Sequence, residues 1–243
     1  MRANAKASLK LICFPYAGAA TTAFWSWRLR LPENVELCAI QLPGRHDRSL
    51  EPPFRRVSHA LEEIGKSLLT VLDRPFAFFG HSMGAILSFE ISRWLRHHRN
   101  LLPEVLFVSG RRAPQIPDTG PTRYLMDDAG FLDEIRKLNA TPEEILANAE
   151  ALKLFLAVLR ADTELCETYA YLDDVPLACP IVAFAGMDDI EETSVLMKGW
   201  HLQTTRDFTL HQLKGDHFFL RSSEPELLRL LLMELSRRHR PGS

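Results

Sequence analysis

The pentapeptide GHSMG at residues 80–84 decides the fold that this sequence predicts. It follows the apolar run PFAFF at 75–79 and precedes an amphipathic stretch from Ala85 to about His97. This order is typical of a strand, a sharp turn and a helix. A turn this tight strains the backbone at Ser82, and a side chain at position 80 or 84 would collide with the neighbouring strand or helix. We therefore expect the Ser82 hydroxyl to stand above the carboxyl edge of a sheet.

The pattern G-x-S-x-G in this setting is the nucleophile elbow of an α/β-hydrolase. The start of the following helix would supply N–H groups and a positive dipole end close to Ser82. Ser82 is therefore the candidate nucleophile. The alternative is a structural serine in a glycine-rich turn, because the bare pattern also arises by chance.

The composition excludes several classes of protein. The chain has 243 residues, 46% hydrophobic and 25% charged, with a net charge of −2, which suits one α/β domain, although two small domains are possible. The near-neutral charge does not indicate nucleic-acid binding, and no apolar run approaches the ~18 residues of a membrane span.

Four scattered cysteines without C-x-x-C spacing predict free thiols in a cytoplasmic protein. The acidic cluster at 188–192 contains no histidine, so we expect no metal site.

Strand-like and helix-like patterns alternate along most of the chain. They predict a mostly parallel central sheet flanked by helices, in one domain spanning 1–243. The strand-like runs are 9–14, 35–41, 75–79, 105–110, 181–185 and 208–213, and the clearest helical patterns are 57–72, 85–97 and 225–238. Further helices are expected from about Ala23 and over 194–202.

The pattern changes between about residues 118 and 171. Strand-like runs disappear, and helical spacing predicts helices over 131–138, 142–149 and 152–169. About fifty residues is long for one crossover connection, so we predict a helical lid insertion over the active site. Ordinary crossover helices are the alternative.

Two later residues complete the order serine, acid, base that this fold uses. Asp189 follows the next-to-last strand, and His217 follows the last strand. An imidazole can take the proton of a serine hydroxyl and return it to the leaving group, while a carboxylate behind the ring fixes its tautomer. Asp188 is the rival acid. His81 is disfavoured as the base because adjacent side chains at a sharp turn diverge.

The loop after the first strand is the candidate source of one oxyanion donor. In hydrolases of this kind, that loop and the residue after the nucleophile each supply a backbone N–H. Here those residues are Ala17 (or Tyr16) and Met83. Small side chains in the loop let the backbone approach a reacting carbonyl, although a compact strand-to-helix turn would look the same.

Several short motifs in order resemble the external (type II) thioesterases. These are stand-alone α/β-hydrolases that serve polyketide synthases and non-ribosomal peptide synthetases, and the medium-chain acyl thioesterase of animal fatty acid synthesis belongs to the same group. The resemblance runs nearly end to end. The segments that carry it are LICFPYAG at 11–18, LPGR at 42–45, residues 75–83, GRRAP at 110–114 and DHFF at 216–219.

The resemblance implies roles for five residues. The family's catalytic serine, aspartate and histidine map onto Ser82, Asp189 and His217, and its oxyanion amides map onto Ala17 and Met83. The resemblance also implies a substrate, an acyl thioester on the phosphopantetheine arm of an acyl or peptidyl carrier protein. Hydrolysis would pass through an acyl-serine and would edit misprimed or stalled carriers. We expect a monomeric enzyme with no cofactor of its own.

Two positions depart from the family pattern. Ala19 stands where a second glycine is frequent, and it cannot readily adopt a positive φ. Asp216 stands where a glycine often precedes the base, and its charge would raise the pKa of that base. Neither departure removes a catalytic group.

Other residues are candidates for contacts with the substrate and the carrier. Tyr16, Leu154, Phe155 and Val158 are candidates to line an acyl tunnel, although the last three would serve equally as the core of the lid. Six arginines are candidates to meet an acidic carrier protein, with a solvated basic face as the alternative for each. They are Arg45, Arg48, Arg55, Arg56, Arg111 and Arg112.

Three alternative functions stay open at this point. One is a medium-chain thioesterase that releases product, and another is a small-ester esterase or acyltransferase with the same triad. The third is a non-catalytic binding partner that kept the fold. Its signature would be a missing member of the triad, and no member is missing.

Overall fold

The computed structural model describes residues 4, 6–137 and 149–238. Its six strands are β1 Leu9–Phe14, β2 Val35–Ala39, β3 Phe76–His81, β4 Leu106–Ser109, β5 Ile181–Gly186 and β6 Phe208–Leu213. Its α-helices are α1 Val57–Leu69, α2 Met83–Arg99, α3 Asp128–Lys137, α4 Ala149–Glu167, α5 Ser194–Lys198, α6 Phe219–Ser222 and α7 Glu224–Arg238. Four short 3₁₀ helices are Thr21–Leu29, His46–Arg48, Arg123–Leu125 and Gly199–Gln203.

The six strands form one parallel sheet in the order β2-β1-β3-β4-β5-β6. The strand that leads to GHSMG is therefore central, with β1 and β4 as its neighbours. Parallel strands end at the same edge, so the loops after β1, β3, β5 and β6 meet there. The predicted mostly parallel sheet with flanking helices is confirmed.

Both faces of the sheet are buried, which explains why its strands read as continuous apolar runs. On one face, Phe78 packs with the apolar sides of α1 and α2. On the other face, Ala77 and Phe79 pack with Trp27 of the first 3₁₀ helix and with α7. Alternation along β3 therefore divides the core into two layers.

Some elements differ from their sequence-based expectations. The helix expected from about Ala23 is a 3₁₀ helix, which begins at Thr21 and buries Phe24 and Trp27. The helix expected over 194–202 is divided into α5 and a 3₁₀ turn. The short helix α6 was not expected at all, because four residues are too few to show a helical period.

The helical region after β4 packs on itself and on the loop after β1. Phe131 and Ile135 of α3 contact Leu159 of α4, and Ala17 packs against this cluster. The helix expected over 142–149 falls almost entirely outside the described residues. No helix in the described ranges combines the length and the apolar character that a membrane span requires.

Candidate active site

Ser82 lies at the turn between β3 and α2. Its backbone has φ +55° and ψ −116°, a region that residues with side chains rarely adopt. The Ser82 N–H donates to the carbonyl oxygen of Ser109 at the end of β4, at 2.8 Å. Helix α2 begins at Met83, directly after the serine. The strained elbow expected from the sequence is therefore present.

The two glycines of the pentapeptide allow this turn. A Cβ atom on Gly80 would lie 2.0 Å from the carbonyl oxygen of Gly84. A Cβ atom on Gly84 would lie 2.1 Å from the carbonyl oxygen of Phe14, at the end of β1. Both contacts are with backbone and cannot relax by a side-chain rotation, so each position requires glycine.

His217 and Asp189 are paired through their side chains. His217 Nδ1 lies 2.8 Å from Asp189 Oδ2, and the Asp189 side chain is 2% exposed. Asp189 Oδ1 accepts hydrogen bonds from the N–H groups of Glu191 and Glu192, at 3.1 and 2.9 Å. Burial alone raises the pKa of Asp189, but the hydrogen bond and the charge of His217, followed by these two backbone hydrogen bonds, outweigh it and lower the pKa below its usual value. The carboxylate is therefore ionised and fixed behind the ring.

Asp188 has a different role in the structure. Its Oδ2 accepts a hydrogen bond from the Gly215 N–H at 3.3 Å, and its own N–H donates to the Gly215 carbonyl at 3.0 Å. These bonds join the loop after β5 to the loop after β6. Of the two candidate acids, it is Asp189 that lies at hydrogen-bond distance from His217.

Ser82 and His217 line the same cavity, whose volume is about 100 Å³. Its walls combine the loops at the carboxyl edge of the sheet with residues of α3 and α4. Lining residues outside the triad include Tyr16, Ala17, Arg123, Ile135, Leu159, Thr163 and Phe218. A hydroxyl, an imidazole and an ionised carboxylate behind it are the groups that nucleophilic acyl transfer requires.

The two candidate oxyanion donors are the backbone N–H groups of Met83 and Ala17. The Met83 N–H is the first of α2, where helix N–H groups have no partner within the helix. Ala17 lines the cavity in the turn after β1. In that turn Gly18 has φ +75°, whereas Ala19 is not among the residues of positive φ. The substitution at Ala19 therefore introduces no backbone strain.

The candidate substrate-contacting residues fall in different environments. Tyr16 lines the cavity, and its hydroxyl accepts a hydrogen bond from Arg221 at 2.5 Å. Leu154 is 72% exposed, so the expectation that it lines an acyl tunnel is wrong for this structure. Phe155 contacts Gly18 and the cluster around Leu159 instead of the cavity itself, and Val158 is half-buried.

The sequence reasoning missed the apolar residues that do line the cavity, Ile135 of α3 and Leu159 of α4. Leu159, Thr163 and Cys166 follow one another at helical spacing on one face of α4. That spacing was visible in the sequence, but so was the alternative face through Leu154 and Val158. Only the packing of α4 on the turn after β1 distinguishes them.

The six candidate arginines are all paired with carboxylates. Arg45 is buried against Asp162, and the largely buried Arg111 and Arg112 pair with Glu192. The expectation that Arg45 meets a carrier protein is therefore wrong, because its side chain is only 6% exposed. Arg111 and Arg112 are 14% and 11% exposed, and for them the expectation stays a prediction. The pairs of the other three are Arg48 with Glu51 and Glu63, and Arg55 and Arg56 with Glu164.

His81 is buried beside the catalytic histidine and contacts the end of β4. Its Nδ1 lies 2.9 Å from Ser109 Oγ, and its ring lies 5.2 Å from the ring of His217. Complete burial, and next the nearby His217, lower the pKa of His81 well below its usual value. His81 is therefore a neutral, buried ring that packs against His217.

Comparison with known proteins agrees with this geometry. A family model described as a thioesterase domain matches residues 9–234. The gramicidin S biosynthesis protein GrsT of Aneurinibacillus migulanus is 42% identical over 232 residues, which are 96% of this chain and 91% of that protein. The medium-chain S-acyl fatty acid synthase thioesterase of Rattus norvegicus is 31% identical, over 92% of this chain and 86% of that protein.

A solved structure is similarly close. The RedJ thioesterase from the prodiginine pathway of Streptomyces coelicolor is 37% identical, with a TM-score of 0.90 over 96% of this chain and 92% of that one. The resemblance inferred from the short motifs is confirmed. The chain belongs to the thioesterase family, and it is a serine hydrolase that acts on thioesters.

Proposed function

We propose that this enzyme hydrolyses acyl groups from the phosphopantetheine arm of an acyl or peptidyl carrier protein and so edits misprimed or stalled carriers of a synthase. The observation that carries the catalytic part is the His217–Asp189 pair, whose imidazole lines the same cavity as the strained Ser82. The substrate class rests on the relatives, which include a gramicidin S biosynthesis protein and a thioesterase of a prodiginine pathway.

The proposed reaction has two halves. His217 takes the proton of Ser82 Oγ as that oxygen attacks the thioester carbonyl carbon. The carbon–sulfur bond breaks, and the phosphopantetheine sulfur takes the proton from His217 and leaves as a thiol. Water then attacks the acyl-Ser82 carbonyl while His217 accepts its proton, and return of the proton to Ser82 Oγ releases the acid. Asp189 stabilises the imidazolium in both halves.

Backbone amides provide the charge stabilisation in this scheme. The tetrahedral intermediate carries its negative charge on the former carbonyl oxygen. The N–H groups of Ala17 and Met83 would bind that oxygen, assisted by the positive end of α2. The scheme needs no cofactor of the enzyme's own.

We also propose that the enzyme acts as a monomer in the cytoplasm, where its four free cysteines stay reduced.

Mass spectrometry of loaded carrier proteins tests the proposal. A panel of carriers bearing acetyl, aminoacyl and longer acyl groups is incubated with the enzyme and with Ser82→Ala. We expect the wild-type enzyme to strip several of these groups, and Ser82→Ala to lose about 10⁴-fold or more in rate. Full activity of Ser82→Ala would mean that the nucleophile is misassigned. A strong preference for simple oxygen esters over acyl-carriers would contradict the substrate class.

A medium-chain product-releasing thioesterase is the second candidate. The similarity to the Rattus norvegicus enzyme favours it. The acyl-length profile of the same panel separates the two functions. An editing enzyme should accept short and varied groups, whereas a releasing enzyme should prefer medium-length fatty acyl chains. A sharp optimum at medium length, with acetyl-carriers untouched, would favour release over editing.

A further inference from the structure

A buried ion pair lies behind the turn that carries Ala17. The two terminal nitrogens of Arg45 each lie 2.8 Å from one carboxylate oxygen of Asp162, so the pair is bidentate. The side chains are 6% and 1% exposed, respectively. Moving two charges out of water costs free energy that their attraction only partly offsets. Stability alone is therefore a weak explanation for this pair.

The same two side chains hold backbone groups of the turn. Asp162 Oδ2 accepts a hydrogen bond from the Gly18 N–H at 2.8 Å, and Arg45 Nη1 donates to the Ala19 carbonyl oxygen at 2.9 Å. Inside the turn, the Ala19 N–H donates to the Tyr16 carbonyl oxygen at 3.0 Å. Together with the positive φ of Gly18, this bond is typical of a type II turn.

These bonds determine the direction of the Ala17 amide. In a trans peptide the N–H points opposite to the carbonyl of the preceding residue. The bond accepted by the Tyr16 carbonyl therefore orients the peptide plane that carries the Ala17 N–H. The bond from the Gly18 N–H to Asp162 holds the next peptide plane, between residues 17 and 18, and the bond from Arg45 to the Ala19 carbonyl holds the plane between residues 19 and 20. Donors stabilise an oxyanion best when they are oriented before the charge develops.

We propose that Arg45 and Asp162 are positioning residues that hold the turn 16–19 so that the Ala17 N–H is directed at the acyl oxygen. The inference rests on the proposed function, in which Ala17 is an oxyanion donor. Asp162 belongs to α4, the helix that also forms one wall of the cavity. The helix that bounds the substrate therefore also fixes the oxyanion donor.

The test compares Asp162→Asn and Arg45→Lys with a matched control, Glu164→Gln. Glu164 lies two residues further along α4 and also pairs with arginines, Arg55 and Arg56, but those guanidinium groups are at the surface. Turnover is measured with the acetyl thioester of N-acetylcysteamine. Inhibition is measured with an alkyl trifluoromethyl ketone, whose adduct with the serine places an oxyanion between the donors.

We expect both positioning variants to lose about 10- to 100-fold in kcat, with KM changed by less than about threefold. Affinity for the ketone should fall by a similar factor. Rates are referred to the folded fraction measured by circular dichroism. Glu164→Gln should retain wild-type kcat and inhibitor affinity. A merely structural pair would lower the thermal midpoint without moving kcat per folded molecule.

A double variant keeps the test decisive if the single variants fold poorly. Arg45→Met/Asp162→Leu replaces the pair with apolar side chains of similar volume and leaves no unpaired buried charge. It should fold and should show the same low kcat as the single variants, because the Gly18 N–H and the Ala19 carbonyl lose their partners.

Three results would overturn the inference. They are a folded double variant with wild-type kcat, a fall in kcat without loss of ketone affinity, or an equal fall in Glu164→Gln. Ser82→Ala is assayed in parallel with the same thioester. If Ser82→Ala stays active, the proposed function fails; if it is inactive while the positioning variants are normal, only this inference fails.

Discussion

His217 Nδ1 lies 2.8 Å from Asp189 Oδ2, and the other oxygen of that carboxylate accepts two backbone N–H groups. The acid is therefore held by its own loop and presents one oxygen to the ring. We predict that Asp189→Asn lowers kcat about 10³- to 10⁴-fold, because the amide no longer stabilises the imidazolium or its tautomer. Steady-state hydrolysis of an acyl thioester measures the effect.

Asp188→Asn is the matched control for this prediction. Asp188 is the neighbouring carboxylate, and it accepts a hydrogen bond from the Gly215 N–H, a bond that an asparagine oxygen can also accept. We expect this variant to keep near-wild-type kcat. A larger loss from Asp188→Asn than from Asp189→Asn would show that the acid is misassigned.

The glycine before the serine should be intolerant of any side chain. In Gly80→Ala the new Cβ would lie 2.0 Å from the Gly84 carbonyl oxygen, which cannot move without displacing α2. We predict a loss of about 3 kcal/mol or more in the free energy of unfolding. Urea denaturation followed by circular dichroism measures it.

Gly120→Ala provides the comparison at an exposed glycine. Its new Cβ would meet two side chains and no backbone, with Asp118 Oδ1 at 3.2 Å and Arg123 Nη1 at 4.0 Å. Its stability should stay within about 0.5 kcal/mol of wild type. Equal stability losses in Gly80→Ala and Gly120→Ala would mean that the tight turn around Ser82 does not explain why position 80 requires glycine.

The fold and the three reactive side chains were predictable because their signals are local. The glycines around Ser82, the apolar runs of the strands and the order of Asp189 and His217 can all be read along the chain. The strand order was not predicted, because pairing depends on contacts between distant segments. The choice between Asp188 and Asp189 required coordinates, because adjacent residues in a loop point in different directions.

The errors concern contacts that join distant parts of the chain. Arg45 looked like a surface cation in the sequence. Its partner Asp162 lies 117 residues further along the chain, on α4. Leu154 and Leu159 both fit an apolar helical face, and only the packing of α4 on the turn after β1 decides which is buried. Charge and hydrophobicity along a sequence do not specify such tertiary partners.

The apolar wall of the cavity should control acyl length. Leu159 is 3% exposed and lines the cavity, so Leu159→Ala enlarges the space near Ser82. We predict that the ratio of kcat/KM for octanoyl over acetyl thioesters rises about tenfold, the usual scale for small changes in an apolar pocket. The ratio is unaffected by a lower folded fraction, since both substrates meet the same preparation.

Leu154→Ala is the matched control for the cavity prediction. It lies on the same helix with the same side chain, but Leu154 is 72% exposed. The octanoyl-to-acetyl ratio should therefore stay at its wild-type value. A shift in Leu154→Ala, with none in Leu159→Ala, would reverse the assignment of the two faces of α4.

Asp174 should give the protein a pH-dependent contribution to stability. It ties the segment after α4 to α2, since its carboxylate lies 3.3 Å from Arg93 Nε and 2.8 Å from His97 Nε2 and also pairs with Arg96. Burial alone raises the pKa of Asp174, but the hydrogen bond to His97, a backbone N–H and the arginines outweigh it and lower the pKa from 3.8 to about 2.

A carboxyl group with a lower pKa in the folded state stabilises the protein above its unfolded pKa, and that contribution disappears as the pH falls through the folded pKa. We therefore predict that Asp174→Asn is less stable than wild type by about 1 kcal/mol at pH 7. The gap should persist to about pH 5, shrink below about pH 4 and vanish near pH 2. Urea unfolding at pH 7, 5, 4 and 3 measures this difference in stability.

Asp173→Asn is the matched control. Asp173 is an exposed carboxylate that accepts one hydrogen bond from Tyr171, so this variant should stay within about 0.5 kcal/mol of wild type at every pH. A gap for Asp174→Asn that grows on acidification would contradict the assigned direction of the pKa shift.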